Sequence, residues 1–218
     1  MASLLCGIFV GGQSRRMGGH PKGLLPAPTA DATTAGATTA GATTLVARLA
    51  ELALAQGLPV VLVGQRPEYA GLGLPLLADR PAGHGPLGGL AALLYAASEQ
   101  GLDGAVALSC DLPFLGPGLL SRLVATPAGD FVALAPRWQP SDRDTPIWEP
   151  LCARYAVAFL PYLEQAMAQG ARSLQSVLSQ AQTQPLVLSP DEQAQVRDWD
   201  RPEDLPPALR SAVRARPQ

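Results

Sequence analysis

The chain has 218 residues, of which 47% are hydrophobic, 16% charged and 5% aromatic, a size that suits one large domain whose core is built from Leu, Val and Ala. A formal net charge of −2 excludes a general electrostatic footprint for nucleic acid, so any anion must be bound by a few locally placed Arg and Lys. No apolar run approaches the roughly 20 residues of a membrane span, and the scattered Cys6, Cys110 and Cys152 read as reduced thiols of a cytoplasmic protein.

Residues 4–10 read as a buried strand that ends in Gly11-Gly12. No positive charge precedes this run, and Arg15-Arg16 follow it, which is the wrong order for a secretion signal. Residues 32–44, ATTAGATTAGATT, repeat without a periodicity that could bury a face. We expect a flexible low-complexity insertion at about 29–44 inside the single domain. Next come a helix over 45–56, a buried strand over 59–63 and a short strand over 74–77. An Ala/Leu helix over 87–98 starts on Gly88 and Gly89, and a strand over 105–109 leads into Cys110-Asp111. A helix over 118–124 and a strand over 131–135 follow, with a short strand at 147–148. Helices over 157–169 and 173–180, a strand near Val196 and a helix from Pro202 complete the chain. This alternation implies an α/β fold with a largely parallel sheet and helices on both faces. Ligands of such sheets sit beyond the carboxyl ends of the strands, where Gly11-Gly12 and Asp111 fall.

The strongest chemical signal is the loop GGQSRRMGGHPK, Gly11 to Lys22. Glycines directly after a strand let the backbone approach phosphate and turn its N–H groups inward as an anion nest. Arg16 offers forked donors to phosphoryl oxygens and Lys22 a compact charge, and Ser14 lies between them and the glycines. The spelling excludes two competitors. The dinucleotide fingerprint G-x-G-x-x-G is absent after the first strand, and Lys22 lacks the flanking residues of a P-loop. An ordinary Gly-rich turn with solvated arginines remains the plain alternative.

Two aspartates lie at further strand ends. Asp111 in SCDLP is costly at the end of an apolar strand unless it faces a cation, and Mg²⁺ bridging triphosphate oxygens is such a partner. A turn or cap aspartate before Pro113 is the alternative. Asp79 in DRPAGHGPLGG could accept the paired N1–H and N2–H of guanine, or be a plain turn residue. His20 and His84, the two histidines, lie in these loops, where a histidine is more often solvated than bound to ligand.

Taken together, GGQSRRMGGHPKGLL, DRPAGHGPLGGL, SCDLPFL and DWDRPEDL resemble the molybdenum cofactor guanylyltransferases, in the same order and over about residues 4–205. The resemblance implies a Rossmann-like three-layer αβα sandwich that binds GTP and Mg²⁺ and joins GMP to the phosphate of molybdopterin with release of pyrophosphate. By position it implies nucleotide contacts from Phe9, Val10, Gly11, Gly12 and Ser14, with Arg16 and Lys22 as phosphate-binding cations. Asp79 would read or position the nucleoside, and Asp111 would hold Mg²⁺. A cofactor-accepting enzyme or its chaperone would be a partner. Two departures stand out. The family's asparagine after the second strand is Val63 here, and its N-x-N-T-P near the C-terminus is Asp198-Trp199-Asp200-Arg201-Pro202. Asp200 could join Asp111 on the metal or cap the last helix.

The mechanism this implies is in-line displacement at the α-phosphorus, with an acceptor phosphate already ionised near neutral pH and therefore no general base. Two other functions fit the same residues. One is a cytidylyltransferase, or another NTP transferase acting on a phosphorylated acceptor. The other is a catalytically silent nucleotide-binding module.

Overall fold

A computed structural model describes residues 2–12, 14–28, 43–127, 129–140 and 143–214 of the chain. The first strand, β1 (Leu4–Phe9), is buried along nearly its whole length. Its alternation explains the layers. Leu4, Cys6 and Ile8 enter one apolar cluster, while Leu5 enters a second on the opposite face. Gly7 also points to that second face, where the methyl carbons of Leu93 lie 2.5 and 2.7 Å from the position a Cβ would take.

After the loop, α1 (Leu45–Ala55) starts on Thr44, whose hydroxyl accepts from the Ala47 N–H. It is followed by β2 (Val60–Val63), β3 (Leu76–Leu77), α2 (Pro86–Glu99), β4 (Gly104–Ser109), α3 (Pro117–Ala125), β5 (Ala133–Trp138) and β6 (Ile147–Trp148). Then come β7 (Cys152–Ala156), α4 (Leu160–Ala168), α5 (Leu174–Gln180), β8 (Thr183–Leu186), α6 (Pro190–Gln195) and α7 (Pro207–Arg214). The strand order is β3-β2-β1-β4-β7-β5-β6, and β8 pairs with β5. The four strands β3, β2, β1 and β4 run parallel. Antiparallel β7 is inserted between β4 and β5, while β8 runs parallel to β5.

Helices α1 and α3 cover one face, where Leu49, Leu119 and Leu123 share an apolar cluster with Val106 and Leu108 of β4. Helices α2, α4 and α5 cover the other, against Ala105 and Ala107. Small residues on that face of β4 suit α2, which buries Leu87, Leu90, Leu93 and Leu94 together. The expected mixed α/β architecture is therefore present. All three cysteines are free and buried.

Several elements differ from the sequence reading. No strand forms near Val196. It follows α6, whose start at Ser189 is fixed by a reciprocal capping box with Glu192. The strand of that region is β8, which the sequence reading missed because Pro185 lies within it and only Leu186 is buried. Strand β7 was missed because Arg154 interrupts its apolar run. Its guanidinium is buried, donating to the carbonyls of Val124 and Thr126 and lying over the Phe131 ring. The helix expected from Pro202 begins instead at Pro207, after a single 3-10 turn over Pro202–Asp204. Consecutive prolines at 206 and 207 remove the backbone donors that a continuous helix needs. The Ala/Thr/Gly repeat lies, from residue 32 to 42, outside the described residues. At its base the Ala27 N–H donates to the Thr43 carbonyl at 2.8 Å.

Candidate active site

The carboxyl ends of β1, β2 and β4 open side by side. Val10 N–H donates to the Val63 carbonyl at 2.9 Å, and Cys110 N–H to the Phe9 carbonyl at 3.2 Å. The backbones then come so close that a Cβ on Gly64, which has φ +115°, would lie 2.5 Å from the Gly11 Cα. Glycine at position 64 lets the two chains meet there.

Beyond Gly12 the loop folds into a 3-10 turn over Arg15–Met17. Ser14 takes a left-handed conformation, φ +48°, and its carbonyl accepts from the N–H groups of both Met17 and Gly19. Met17 is buried in a third small cluster with Leu25, Leu45, Trp199, Leu205 and Leu209. That cluster draws the C-terminal segment onto the loop, and Trp199 N–H completes the link by donating to the Asp111 carbonyl at 3.0 Å. Asp200 is thereby delivered to a site 178 positions from Lys22.

A second 3-10 turn, Lys22–Leu24, buries the Lys22 side chain. Its ammonium donates to Asp111 Oδ2 at 2.9 Å and to Asp200 Oδ1 at 2.8 Å. The Ser109 hydroxyl donates to the other oxygen of Asp111, and Arg16 pairs with the other oxygen of Asp200. Burial alone pulls the Lys22 pKa down, but the two carboxylates more than offset it and the net shift is upward. At Asp200 burial pushes upward, and the hydrogen bond and charge of Lys22, with those of Arg16, overcome it to leave the carboxyl below its usual range. Asp198 has an accessible surface yet is crowded by protein. Desolvation first, then the charges of Asp111 and Asp200, pushes it up to about 6.

Arg16, Lys22, Ser109, Asp111 and Asp200 line a cavity of about 570 Å³. Phe9, Val10, Gly11, Gly12 and Ser14 line it together with them. Asp79 lies on the wall with Val63, Gly85 and Pro86. It packs against the start of α2, where a Cβ on Gly89 would lie 3.4 Å from Asp79 Oδ1. Among the described residues nothing donates to the Asp79 carboxylate, and burial raises its pKa. Every site residue expected from the sequence thus borders one space. Neither His20 nor His84 is among its described lining. The Arg15 side chain lies outside the described residues.

Asp200 does not cap the final helix. That helix begins at Pro207, and the 3-10 turn before it is capped by Arg201, whose N–H donates to Asp204 Oδ2 at 2.6 Å, so the carboxylate of Asp200 faces the cations instead. Sequence reasoning missed Ser109, Tyr69 and Leu151, which also line the cavity. It also missed Glu149, two residues before Leu151. Burial pushes the Glu149 carboxyl up to about 7 against the downward pull of a hydrogen bond from Trp138 Nε1, 2.7 Å away. The position of Ser109, two residues before Asp111 at the strand end, was the one usable signal among these.

Two carboxylates converging on one ammonium form a site suited to a cation. Among the described residues no group of three or more His, Cys, Asp and Glu side chains is arranged to hold a metal. A pair is nonetheless what Mg²⁺ uses when phosphate oxygens and water complete its shell. No helix among the described residues is long and apolar enough to cross a membrane.

The chain matches the model of the MobA-like NTP transferase domain over residues 6–186. Molybdenum cofactor guanylyltransferase of Rhodobacter capsulatus is 32% identical over 202 residues, covering 91% of this chain and 90% of that protein. The protein of that name from Pseudomonas putida (strain GB-1) is 28% identical over 202 residues, covering 91% and 93%. Among solved structures, molybdopterin-guanine dinucleotide biosynthesis protein A from Archaeoglobus fulgidus superposes with a TM-score of 0.67 at 21% identity, covering 96% of each chain. The 2-C-methyl-D-erythritol 4-phosphate cytidylyltransferase from Thermus thermophilus superposes at 0.60 with 17% identity, covering 98% and 99%. At such identities the two structures speak for the fold alone.

Proposed function

The chain belongs to the MobA-like NTP transferase family and, within it, to the molybdenum cofactor guanylyltransferases, and we propose that it moves GMP from GTP to molybdopterin. A terminal phosphate oxygen of molybdopterin attacks the α-phosphorus of GTP and forms the new P–O–P bond. Pyrophosphate leaves with the electrons of the bond that breaks. The acceptor oxygen is already ionised near neutral pH, so no side chain needs to remove a proton.

One observation carries this reading. The Lys22 ammonium, gripped by two carboxylates, sits in the same cavity as the Gly11-Gly12 strand end. In this proposal the backbone after β1 cradles the phosphates, and Lys22 and Arg16 neutralise charge on the departing pyrophosphate. Asp79, with a carboxylate that no described protein group satisfies, accepts the paired donors of guanine. Asp111 and Asp200 would hold Mg²⁺. When bound, the metal supplies charge neutralisation and a fixed orientation for the phosphate oxygens. We assign the reaction to the cytoplasm, where unpaired cysteines such as Cys6, Cys110 and Cys152 persist as thiols. We assign hand-over of the product to a cofactor-accepting enzyme or its chaperone.

The test combines the protein, Mg²⁺, GTP and metal-bearing molybdopterin, and follows the dinucleotide product together with pyrophosphate. One pyrophosphate per dinucleotide, abolished by chelating Mg²⁺, is expected. Selective use of CTP would transfer the reading to a cytidylyltransferase. Tight GTP binding without turnover would support a silent module.

A further inference from the structure

The phosphate loop has few backbone ties to the sheet. Between Gly12 and Lys22 its described backbone bonds are local, as in the two N–H groups that share the Ser14 carbonyl. Ser14 is held with positive φ, a conformation that persists in a non-glycine residue only where the surroundings over-determine it. One turn bonds the loop on either side of Ser14, at Gly12 and Gly19. After β2 the chain passes Gly64 and enters a 3-10 turn over Pro67–Leu72, with Arg66 at its N-cap.

Arg66 reaches back across the loop. Its Nη1 donates to the Gly12 carbonyl at 2.8 Å and its Nη2 to the Gly19 carbonyl at 3.1 Å. Nη2 also donates to Glu68 Oε1 at 2.8 Å, which lowers the Glu68 pKa and orients the guanidinium. The Arg66 side chain is only 15% exposed. Three residues on, the buried Tyr69 hydroxyl accepts from the Gly23 N–H at 3.1 Å. Gly23 leaves room for this approach, since a Cβ there would lie 3.0 Å from the Tyr69 oxygen.

We propose that Arg66 and Tyr69 form a clamp that fixes the phosphate loop at residues 12, 19 and 23 and so presets it for the triphosphate. Both are positioning residues. Arg66 is absent from the described lining of the cavity, and its effect passes through the two carbonyls it holds. A guanidinium suits the task because its two terminal nitrogens are fixed in a planar fork, whereas a lysine ammonium is a point charge on a flexible stem. Arg66 acts from the β2 side of the loop, and Tyr69 holds Gly23, the residue next to Lys22. The clamp sets the shape of the loop, while the ion pairs of Lys22 set its charge.

The loop's role toward GTP rests on the transferase reading given above, so the test has two arms. In the nucleotide-free protein, amide hydrogen exchange over residues 14–25 is compared between wild type, Arg66→Ala, Arg66→Lys and Tyr69→Phe. Arg66→Ala should speed exchange in that segment at least about tenfold while β1 and β4 stay protected, with Arg66→Lys intermediate. Tyr69→Phe should act on residues 23–25 alone. In the second arm, Arg66→Ala should raise KM for GTP about tenfold or more, as expected for lost charge-assisted hydrogen bonds. KM for the acceptor should stay unchanged. Wild-type exchange in Arg66→Ala overturns the clamp. So does a rise in both KM values that merely follows a lower melting temperature. Should Arg66→Ala fail to fold, Arg66→Lys decides, and wild-type values for both exchange and KM overturn the proposal. A wild-type protein with no GTP turnover removes the transferase reading and leaves the exchange result to judge the clamp.

Discussion

Replacing Lys22 by methionine keeps the length of the side chain and removes the ammonium that holds Asp111 and Asp200 together. At an effective dielectric of about 20, each of those contacts carries roughly 6 kcal/mol of gross attraction, much of it offset by desolvation. The Asp111 side chain is 12% exposed and remains beside the methionine without a counter-charge. Leaving a buried charge uncompensated costs about 3–5 kcal/mol. Asp200 is 36% exposed and keeps Arg16, so its share is screened and the lower end of that range applies. Thermal denaturation of the metal-free variant should therefore show a loss of about 3 kcal/mol. Added Mg²⁺ should restore about 2.7 kcal/mol to the variant at one hundred times its dissociation constant, and less to wild type, where the Lys22 ammonium already occupies the carboxylates. Turnover should nonetheless stay at least about tenfold down, roughly 1.4 kcal/mol of barrier, because the cation facing the departing pyrophosphate is gone. Turnover within threefold of wild type would refute the catalytic role of Lys22. Equal Mg²⁺ responses in the two proteins would refute the shared carboxylate site.

Asp79→Asn replaces one acceptor by a donor facing the guanine N–H groups, and steady-state kinetics should show KM for GTP raised about 10- to 100-fold. An unchanged KM with GTP preference retained would remove Asp79 from base reading. Glu149→Gln tests a pH dependence. The folded pKa of Glu149 is about 7, above its ordinary 4.5, so the folded protein binds the proton more tightly. Wild-type stability should then fall as pH rises from about 4.5 to about 7, by up to roughly 3 kcal/mol. The glutamine variant should lack that slope, and parallel stability curves for the two proteins would refute the assignment. Gly7→Ala and Gly104→Ala should differ in melting temperature. At Gly7 the new methyl meets the movable ends of Leu93, at 2.5 Å, whereas at Gly104 it meets the Tyr155 backbone carbonyl at 2.2 Å. The first should cost about 1–3 kcal/mol and the second more. The reverse order would contradict the packing of β4 against β7.

The parts of this architecture legible in the sequence are those with local causes. Strands β1 and β4 are short apolar runs because both of their faces are covered, and the run is visible without knowing what covers it. The glycine-rich loop was likewise readable, because strand, glycines and cations lie within a few positions of one another. Strand β7 was hidden because Arg154 looks like a surface residue until the carbonyls of Val124 and Thr126 are brought to it. Arg66 was hidden for a similar reason. Its partners are backbone carbonyls, which any residue supplies and which therefore leave no trace in the spelling.

Asp200 shows why residue type alone could not choose between a cap and a cation site. Both readings suit an aspartate before Arg201-Pro202, and the choice is made by Met17 and Trp199, which share a small core. Once that core forms, three carboxylates, Asp111, Asp198 and Asp200, lie near two cations, Lys22 and Arg16. Desolvation first, and then this surplus of negative charge, raises the Asp198 carboxyl to about 6, while Lys22 and Arg16 hold that of Asp200 below its usual range. In the proposed mechanism an arriving triphosphate would compete for Lys22 and Arg16, and the carboxylates they release would then need another counter-charge. A divalent cation carried in with the nucleotide would meet that need, whereas the nucleotide alone would deepen the imbalance. This charge balance supports the proposed Mg²⁺ dependence, and it implies that metal and GTP bind each other's complex with the protein more tightly than either binds alone.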